Sequence, residues 1–203
     1  MPDFSKILTG FGAVALPLVL SAGLAAAQST DEEAAEAPVT DDGLSLGTAA
    51  EPQVGQAYAA EFNGDWELRC VKTESGEDPC QMVQLLTDPE GAPIAEFSLY
   101  RLAEENPAAA GATVIVPLET ALQAQLTIQV DSQQAKRYPY AFCNQVGCYA
   151  RIGLTEEDVA SYKRGNQAVL SIVPMAAQDQ RVTVTLSLSG FTASFDKTSV
   201  SNR

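Results

Sequence analysis

The chain has 203 residues, of which 46% are hydrophobic, and a formal net charge of −14 at pH 7. This length allows one domain with a substantial core. The acidic charge argues against nucleic acid or an anionic lipid surface as a partner, because like charges repel. The chain contains no histidine, which excludes Ser-His-Asp and Cys-His catalysis and every metal site that uses an imidazole ligand.

The N-terminal segment, residues 1–27, has the pattern of a secretory signal peptide. Lys6 supplies positive charge, residues 7–27 are uncharged, and the segment ends in three alanines that suit a signal peptidase. The uncharged stretch is also about long enough to act as a retained membrane anchor. Because Gly, Ala, Ser and Pro17 dilute it, we predict cleavage, a mature chain starting at Gln28, and no stable membrane span. The predicted location is the periplasm, with association with the envelope left open.

Residues 28–60 are predicted to form an acidic disordered linker. The segment has seven acidic residues and no basic one, and Ala, Pro and Gly fill most of the rest. Such a composition cannot bury enough apolar surface to offset the entropy of ordering it. We therefore expect the linker to be dispensable for folding. The alternative is an acidic tail that captures cations or a basic partner.

Residues 61–196 are predicted to form the folded domain, because their hydrophobic pattern has a period of two. In residues 121–131, ALQAQLTIQVD, and residues 181–189, RVTVTLSLS, apolar and polar side chains alternate. Such alternation is typical of half-buried antiparallel strands. With about eight strand candidates between Gly, Pro and Asn turns, the chain predicts an all-β fold, an antiparallel β-sandwich or squashed barrel. Residues 197–203 are expected to be a C-terminal tail.

One short helix is predicted to follow Thr155. Thr155 suits the N-cap position, and Asp158 stands three residues later, as in a capping box. Lys163 and Arg164 complement the negative end of the helix dipole, and Gly165 can close the helix.

The cysteines are predicted to form disulfides. There are four of them: Cys70, Cys80, Cys143 and Cys148. A zinc site is the alternative, but the spacing of the first two exceeds that of a usual ligand pair, and neither pair is a C-x-x-C redox motif. An exported protein reaches an oxidising environment, where an even number of cysteines favours disulfide bonds.

The turn residues favour a local pairing, Cys70 with Cys80 and Cys143 with Cys148. Gly76 and Pro79 can fold the first loop back on itself. Gly147 is expected to take a positive φ that lets the ends of the second loop approach each other.

Motifs for catalysis are scarce, and the sequence predicts a protein that is not an enzyme and has no cofactor or metal. Residues 194–197, SFDK, match S-x-x-K, but the S-D-N and K-T-G elements that accompany this motif in penicillin-binding enzymes are missing. The least favoured alternative is a hydrolase that uses carboxylates such as Asp65 or Glu67, beside Trp66.

One cluster predicts a binding surface. Arg137, Tyr138 and Tyr140 lie together in an otherwise acidic chain, next to the rigid Tyr138-Pro139 step. Arginine and aromatic side chains are enriched at interaction surfaces. The alternative is an ordinary charged turn.

Several segments, taken in order, resemble the invasion-associated locus B family of exported bacterial proteins. They are FNGDWELRC (62–70), PCQMVQ (79–84), VPLETALQAQLTIQVD (116–131), YPYAFCNQVGCYA (138–150) and LSGFTASFD (188–196). The resemblance implies a periplasmic or envelope-associated β-rich domain of Gram-negative bacteria, in a family named for host-cell entry by some members. It supplies no catalytic residues.

The favoured function is therefore binding of a protein or envelope component in the periplasm. The runner-up is a small-ligand carrier that holds its ligand between sheets or in a barrel mouth.

Overall fold

The computed structural model describes residues 42–201. The predicted signal peptide and residues 28–41 of the predicted linker lie outside these residues. The chain divides into two compact units, Met1–Ala49 and Ala50–Arg203. In the first unit, residues 42–49 are all exposed, and the second unit contains the β domain. No helix within residues 42–201 is both long and apolar enough to cross a membrane.

The β domain contains two sheets and two α-helices. In chain order its elements are β1 (Ala57–Asn63), β2 (Trp66–Val71), β3 (Cys80–Thr87), β4 (Pro93–Leu102), β5 (Ala110–Val116), β6 (Leu126–Val130), β7 (Lys136–Tyr138), β8 (Tyr140–Cys143), β9 (Cys148–Leu154), α1 (Glu156–Arg164), β10 (Gln167–Ile172), β11 (Val182–Ser187), α2 (Phe191–Lys197) and β12 (Val200–Ser201). The larger sheet has the order β1-β2-β3-β4-β5-β9-β8, and β12 adds to β4 in parallel. The smaller sheet has the order β11-β10-β6-β7, and all its pairs are antiparallel.

The core lies between the two sheets. Along β9, for example, Cys148, Ala150, Ile152 and Leu154 are buried, and the residues between them point to the opposite, outer face of the larger sheet. Fully buried Trp66 packs edge-on against two phenylalanines, Phe97 and Phe191, at ring-centroid distances of 6.0 and 5.5 Å. The sequence prediction of a β-sandwich is confirmed, and the sheets of the described region do not close into a barrel.

Side chains of the larger sheet hold the edge of the smaller one. The Ser187 N–H, at the end of β11, donates to Gln84 Oε1 at 2.8 Å. The Ser187 carbonyl oxygen accepts from Gln84 Nε2 and from Trp66 Nε1, each at 3.0 Å. The amide of Gln84 thus replaces the strand that would otherwise pair with this part of β11, and it joins the sheets without closing a barrel.

The predicted helix is present as α1, with its capping box. The Asp158 N–H donates to Thr155 Oγ1 at 3.2 Å, and the Thr155 N–H donates to Asp158 Oδ2 at 3.1 Å. A second helix, α2, was not predicted. It has no side-chain cap, and Gly190 precedes it with φ of +83°. A Cβ at Gly190 would lie 2.0 Å from the Asn63 carbonyl oxygen, so tertiary contact requires glycine there.

Two other sequence predictions need correction. The regular strand expected across residues 121–131 begins only at Leu126, because residues 122–124 form a 3-10 helix and Gln125 has φ of +59°. The β structure also extends beyond residues 61–196, which are the expected limits of the folded domain. β1 begins at Ala57, inside the predicted linker, and β12 falls in the predicted C-terminal tail, where it hydrogen-bonds to β4.

Candidate functional site

The chain passes from the smaller to the larger sheet through Pro139, which separates β7 from β8. Tyr138 pairs with buried Leu126, and Tyr140 pairs with buried Ala150, so both tyrosines face the core and are only half exposed. The Tyr140 hydroxyl is buried and has no hydrogen-bond partner within residues 42–201. Burial raises the pKa of Tyr140 to about 12.

Arg137 points the other way. It pairs with Thr127 on the outer face of the smaller sheet and is exposed. The three residues of the predicted binding cluster therefore do not form one exposed surface. Strand alternation is the reason, since neighbours in sequence point to opposite faces of a sheet. The binding role of Arg137, Tyr138 and Tyr140 stays a prediction, but the shared surface on which it was based is absent.

A disulfide-closed turn connects β8 to β9. Cys143 is bonded to Cys148, as Cys70 is to Cys80, which is the pairing expected from the sequence. Asn144 Oδ1 accepts from the Val146 N–H at 2.8 Å and shapes the turn. Gly147 is required for a reason other than the expected one. It is not among the residues with positive φ, but a Cβ there would lie 2.4 Å from the Val116 carbonyl oxygen.

Next to this turn, the larger sheet exposes a row of apolar side chains, here called the outer patch: Leu85, Ile115, Phe142 and Tyr149. The strand register aligns Leu85 with Glu96, Glu96 with Ile115, Ile115 with Tyr149, and Tyr149 with Phe142. The rings of Phe142 and Tyr149 stack at 4.7 Å between centroids and 14° between planes. Leu85 and Phe142 are 59% and 49% exposed, and Val146 at the turn is 74% exposed.

A β-bulge assembles this stack. The register between β8 and β9 shifts between Tyr140 and Phe142. In a regular strand, every second side chain points to the same face of the sheet. Without the shift, the side chain of Phe142 would therefore point into the core, as that of Tyr140 does. Because of the bulge, Phe142 instead lies on the outer face, opposite Tyr149.

With this geometry described, comparison with known proteins identifies the relatives. The family model described as invasion associated locus B (IalB) protein matches residues 66–199, from the first residue of β2 to just before β12. The chain belongs to the IalB family.

A solved structure has the same fold as this IalB domain. It is the crystal structure of invasion associated protein B from Bartonella henselae, with a TM-score of 0.54 and 20% sequence identity. The alignment covers 66% of this chain and 89% of that chain. No curated protein sequence matches the chain.

Beside the outer patch, charged side chains cover the outer face of the IalB domain. Arg69 binds both carboxylate oxygens of Glu67, with Nε and one terminal nitrogen at 2.8 Å, and reaches Glu96 at 3.2 Å. Hydrogen bonding to Glu67 is the main reason that the pKa of Arg69 is raised. Val83, between Glu67 and Ser98 in the strand register, is buried although it faces outward.

This arrangement bears on the carboxylates considered for hydrolysis. Asp65 is exposed, and Glu67 is paired with Arg69. Within residues 42–201, no Asp or Glu side chain is buried and no group of His, Cys, Asp and Glu residues could hold a metal ion. Ser194 of the S-x-x-K match is fully buried in α2, and Lys197 is paired with Glu61. Glu67 and Lys197 are thus engaged in ion pairs.

The binding cluster predicted from the sequence did not include Phe142, Tyr149 or Arg151. The available signal was two aromatic residues flanking that turn, at positions 142 and 149. Their stacking depends on the bulge, which the alternation of side chains does not reveal.

Proposed function

We propose that this IalB-family protein is an exported, non-enzymatic protein of the periplasm or envelope that binds a protein partner or an envelope component. The export part rests on the signal-like residues 1–27 and on membership of the family. The binding part rests on the outer patch, where the stacked Phe142 and Tyr149 rings are held in place by a disulfide-closed turn.

The outer patch has the features of a binding surface. Aromatic side chains provide large contact area with few rotatable bonds, and they are enriched at the centres of protein interfaces. The disulfide and the bulge fix Phe142 before any partner arrives, which reduces the entropy lost on binding. Exposed Val146 extends the apolar surface at the tip of the turn.

The alternatives have less support. A carrier was expected to hold its ligand between the sheets, but that space is filled by core side chains, including Trp66, Phe97 and Phe191. A carboxylate hydrolase requires a pair of acidic groups facing a cleft, and Glu67 is instead bound to Arg69. The absence of catalytic activity remains part of the proposal.

Site-specific photocrosslinking in intact cells tests the proposal. A photoreactive phenylalanine analogue at position 142 should crosslink to a partner, because this side chain is half exposed within the outer patch. The same analogue at Thr183, an exposed position on β11 in the other sheet, is the matched control. We expect a discrete crosslinked product at position 142 and none at position 183.

Competition then assigns the surface. Added wild-type protein should suppress the crosslink in isolated envelopes, whereas a Phe142→Ser/Tyr149→Ser variant should not. If that double variant competes as well as the wild type, the outer patch is not the binding surface. If instead an Arg137→Ala variant fails to compete, the binding surface lies at the cluster predicted from the sequence, Arg137, Tyr138 and Tyr140.

A further inference from the structure

A cleft of about 750 Å³ opens on the outer face of the larger sheet. Its polar lining residues are Arg69, Gln81, Tyr100, Arg151, Ser199 and Ser201, and none of its lining residues is acidic. This is unusual in a chain with 26 acidic and 12 basic residues. The volume falls within the range of roughly 300–1,000 Å³ that is typical of small-molecule sites.

The two arginines of the cleft differ in their partners. The guanidinium of Arg69 is held by Glu67 and Glu96. Arg151 is exposed, and its side chain has neither an ion pair nor a hydrogen bond within the described part of the chain. A free guanidinium presents a planar fork of donors that matches a carboxylate or a phosphate. Arg151 is therefore available to an external anion.

A second cleft of about 820 Å³ provides a contrast. Three glutamates contribute to its walls: Glu104, Glu105 and Glu156. Its cations are already engaged, since Arg101 donates to the Thr198 carbonyl oxygen and Lys163 pairs with Asp196 at 2.9 Å. Of these two clefts in the described part of the chain, the first alone combines an unpaired guanidinium with walls free of carboxylates.

Tyr100, which lines the first cleft, lies across a neighbouring glycine. Tyr100 pairs with Gly111, which pairs with Gly153 on the next strand, so two neighbouring positions carry no side chain. A Cβ at Gly111 would lie 2.8 Å from Tyr100 Cζ, because the ring lies across the glycine. The Tyr100 hydroxyl has no hydrogen-bond partner within residues 42–201. It is a second available donor for an anion.

The remaining walls are apolar. Val71 and Val200 are 39% and 50% exposed, and Pro79 and Cys80, which is disulfide-bonded to Cys70, also line the cleft. Apolar groups left open to water in a concave site favour an apolar ligand group.

We infer that this cleft binds an amphiphilic anion, with its carboxylate or phosphate at Arg151 and Tyr100 and its apolar chain against Val71, Pro79 and Val200. This site adjoins the proposed protein-binding surface along β9 but is lined by neither Phe142 nor Tyr149, so variants of different residues test the two proposals. The ligand is defined by its chemistry, an anionic head on an apolar chain.

Calorimetric titration of the full chain with octanoate, octyl phosphate and neutral octanamide tests the inference. At least one of the two anions should bind saturably at a single site. The affinity for octanamide should be lower by about tenfold or more, because octanamide cannot form charge-assisted hydrogen bonds. Binding of octanoate alone assigns a carboxylate ligand, binding of octyl phosphate alone assigns a phosphate ligand, and binding of both assigns a site that accepts either.

Variants locate the site. Arg151→Gln should weaken binding by about tenfold, whereas Arg181→Gln, which removes the same charge from an exposed position before β11, should leave it unchanged. Tyr100→Phe keeps the ring over Gly111 and should weaken binding by about two- to tenfold, so it decides the matter if Arg151→Gln does not fold. The inference is wrong if neither anion saturates, if Arg151→Gln and Tyr100→Phe bind like the wild type, or if Arg181→Gln loses as much affinity as Arg151→Gln.

Discussion

At the scale of single residues, the buried hydroxyl of Tyr140 shows how position in a sheet changes the chemistry of a side chain. Its ring packs against the core, and the hydroxyl has no partner within residues 42–201. A buried hydroxyl without a hydrogen bond costs about 1–3 kcal/mol. We therefore expect Tyr140→Phe to increase the free energy of unfolding by about 1 kcal/mol at pH 7, as measured by urea denaturation.

The same residue makes stability depend on alkaline pH. Burial holds the pKa of Tyr140 at about 12, above the value of about 10 in the unfolded chain. Its neutral form is thus favoured by folding, and this contribution is complete below pH 10 and is lost as the pH rises towards 12. Tyr140→Phe should lose stability less steeply than the wild type between pH 9 and pH 11. An unchanged slope would mean that this hydroxyl is solvated.

Tyr58 provides the matched control for the measurement at pH 7. Its hydroxyl donates to Asp78 at 2.7 Å, and this bond is the main reason that the pKa of Asp78 is lowered to about 2. Tyr58→Phe removes a hydroxyl that forms a hydrogen bond, whereas Tyr140→Phe removes one that forms none within the described residues. Tyr58→Phe should therefore lower stability at pH 7, where Tyr140→Phe raises it.

At the scale of secondary-structure elements, Gln84 joins the two sheets. It lies on β3 and forms two hydrogen bonds with the backbone of Ser187 on β11. Gln84→Leu would remove both bonds and leave a backbone N–H unsatisfied, so we expect a loss of about 2–3 kcal/mol. Thermal denaturation should show a decrease in Tm of roughly 2–4 °C for each kcal/mol.

Gln81→Leu is the control for that experiment. Gln81 is on the same strand but faces outward, and its side chain has no hydrogen bond within the described residues. This substitution should change stability by no more than about 0.5 kcal/mol, as is usual for surface positions. Similar losses in the two variants would show that Gln84 does not hold the sheets together.

At the scale of the whole molecule, the start of the folded domain is the testable feature. A chain that begins at Glu61 lacks the first half of β1, the Tyr58 bond to Asp78 and the bond from the Lys72 N–H to the Gln56 carbonyl oxygen at 2.9 Å. A chain that begins at Glu51 keeps them all. We expect the shorter chain to melt several degrees lower, because each lost kcal/mol lowers Tm by roughly 2–4 °C. Equal melting temperatures would instead support the domain start predicted from the sequence, at residue 61.

Much of the fold could be predicted because the relevant signals are local. The alternation in residues 182–188 specifies β11, and Thr155 with Asp158 specifies the start of α1. An even number of cysteines with turn residues between them indicated local disulfides. Each of these features depends on side-chain periodicity or on hydrogen bonds between near neighbours in the chain.

The candidate sites could not be predicted, because an irregularity in strand pairing and contacts between elements create them. A bulge in β8 moves Phe142 to the outer face beside Tyr149. The helix α2 lacks a side-chain cap and forms where Phe191 packs against Trp66. Arg151 and Val71 line one cleft although 80 residues separate them. Side-chain alternation specifies strands such as β11, whereas the side chains that meet on a surface depend on register and bulges, which are set by pairing between strands and not by any one segment.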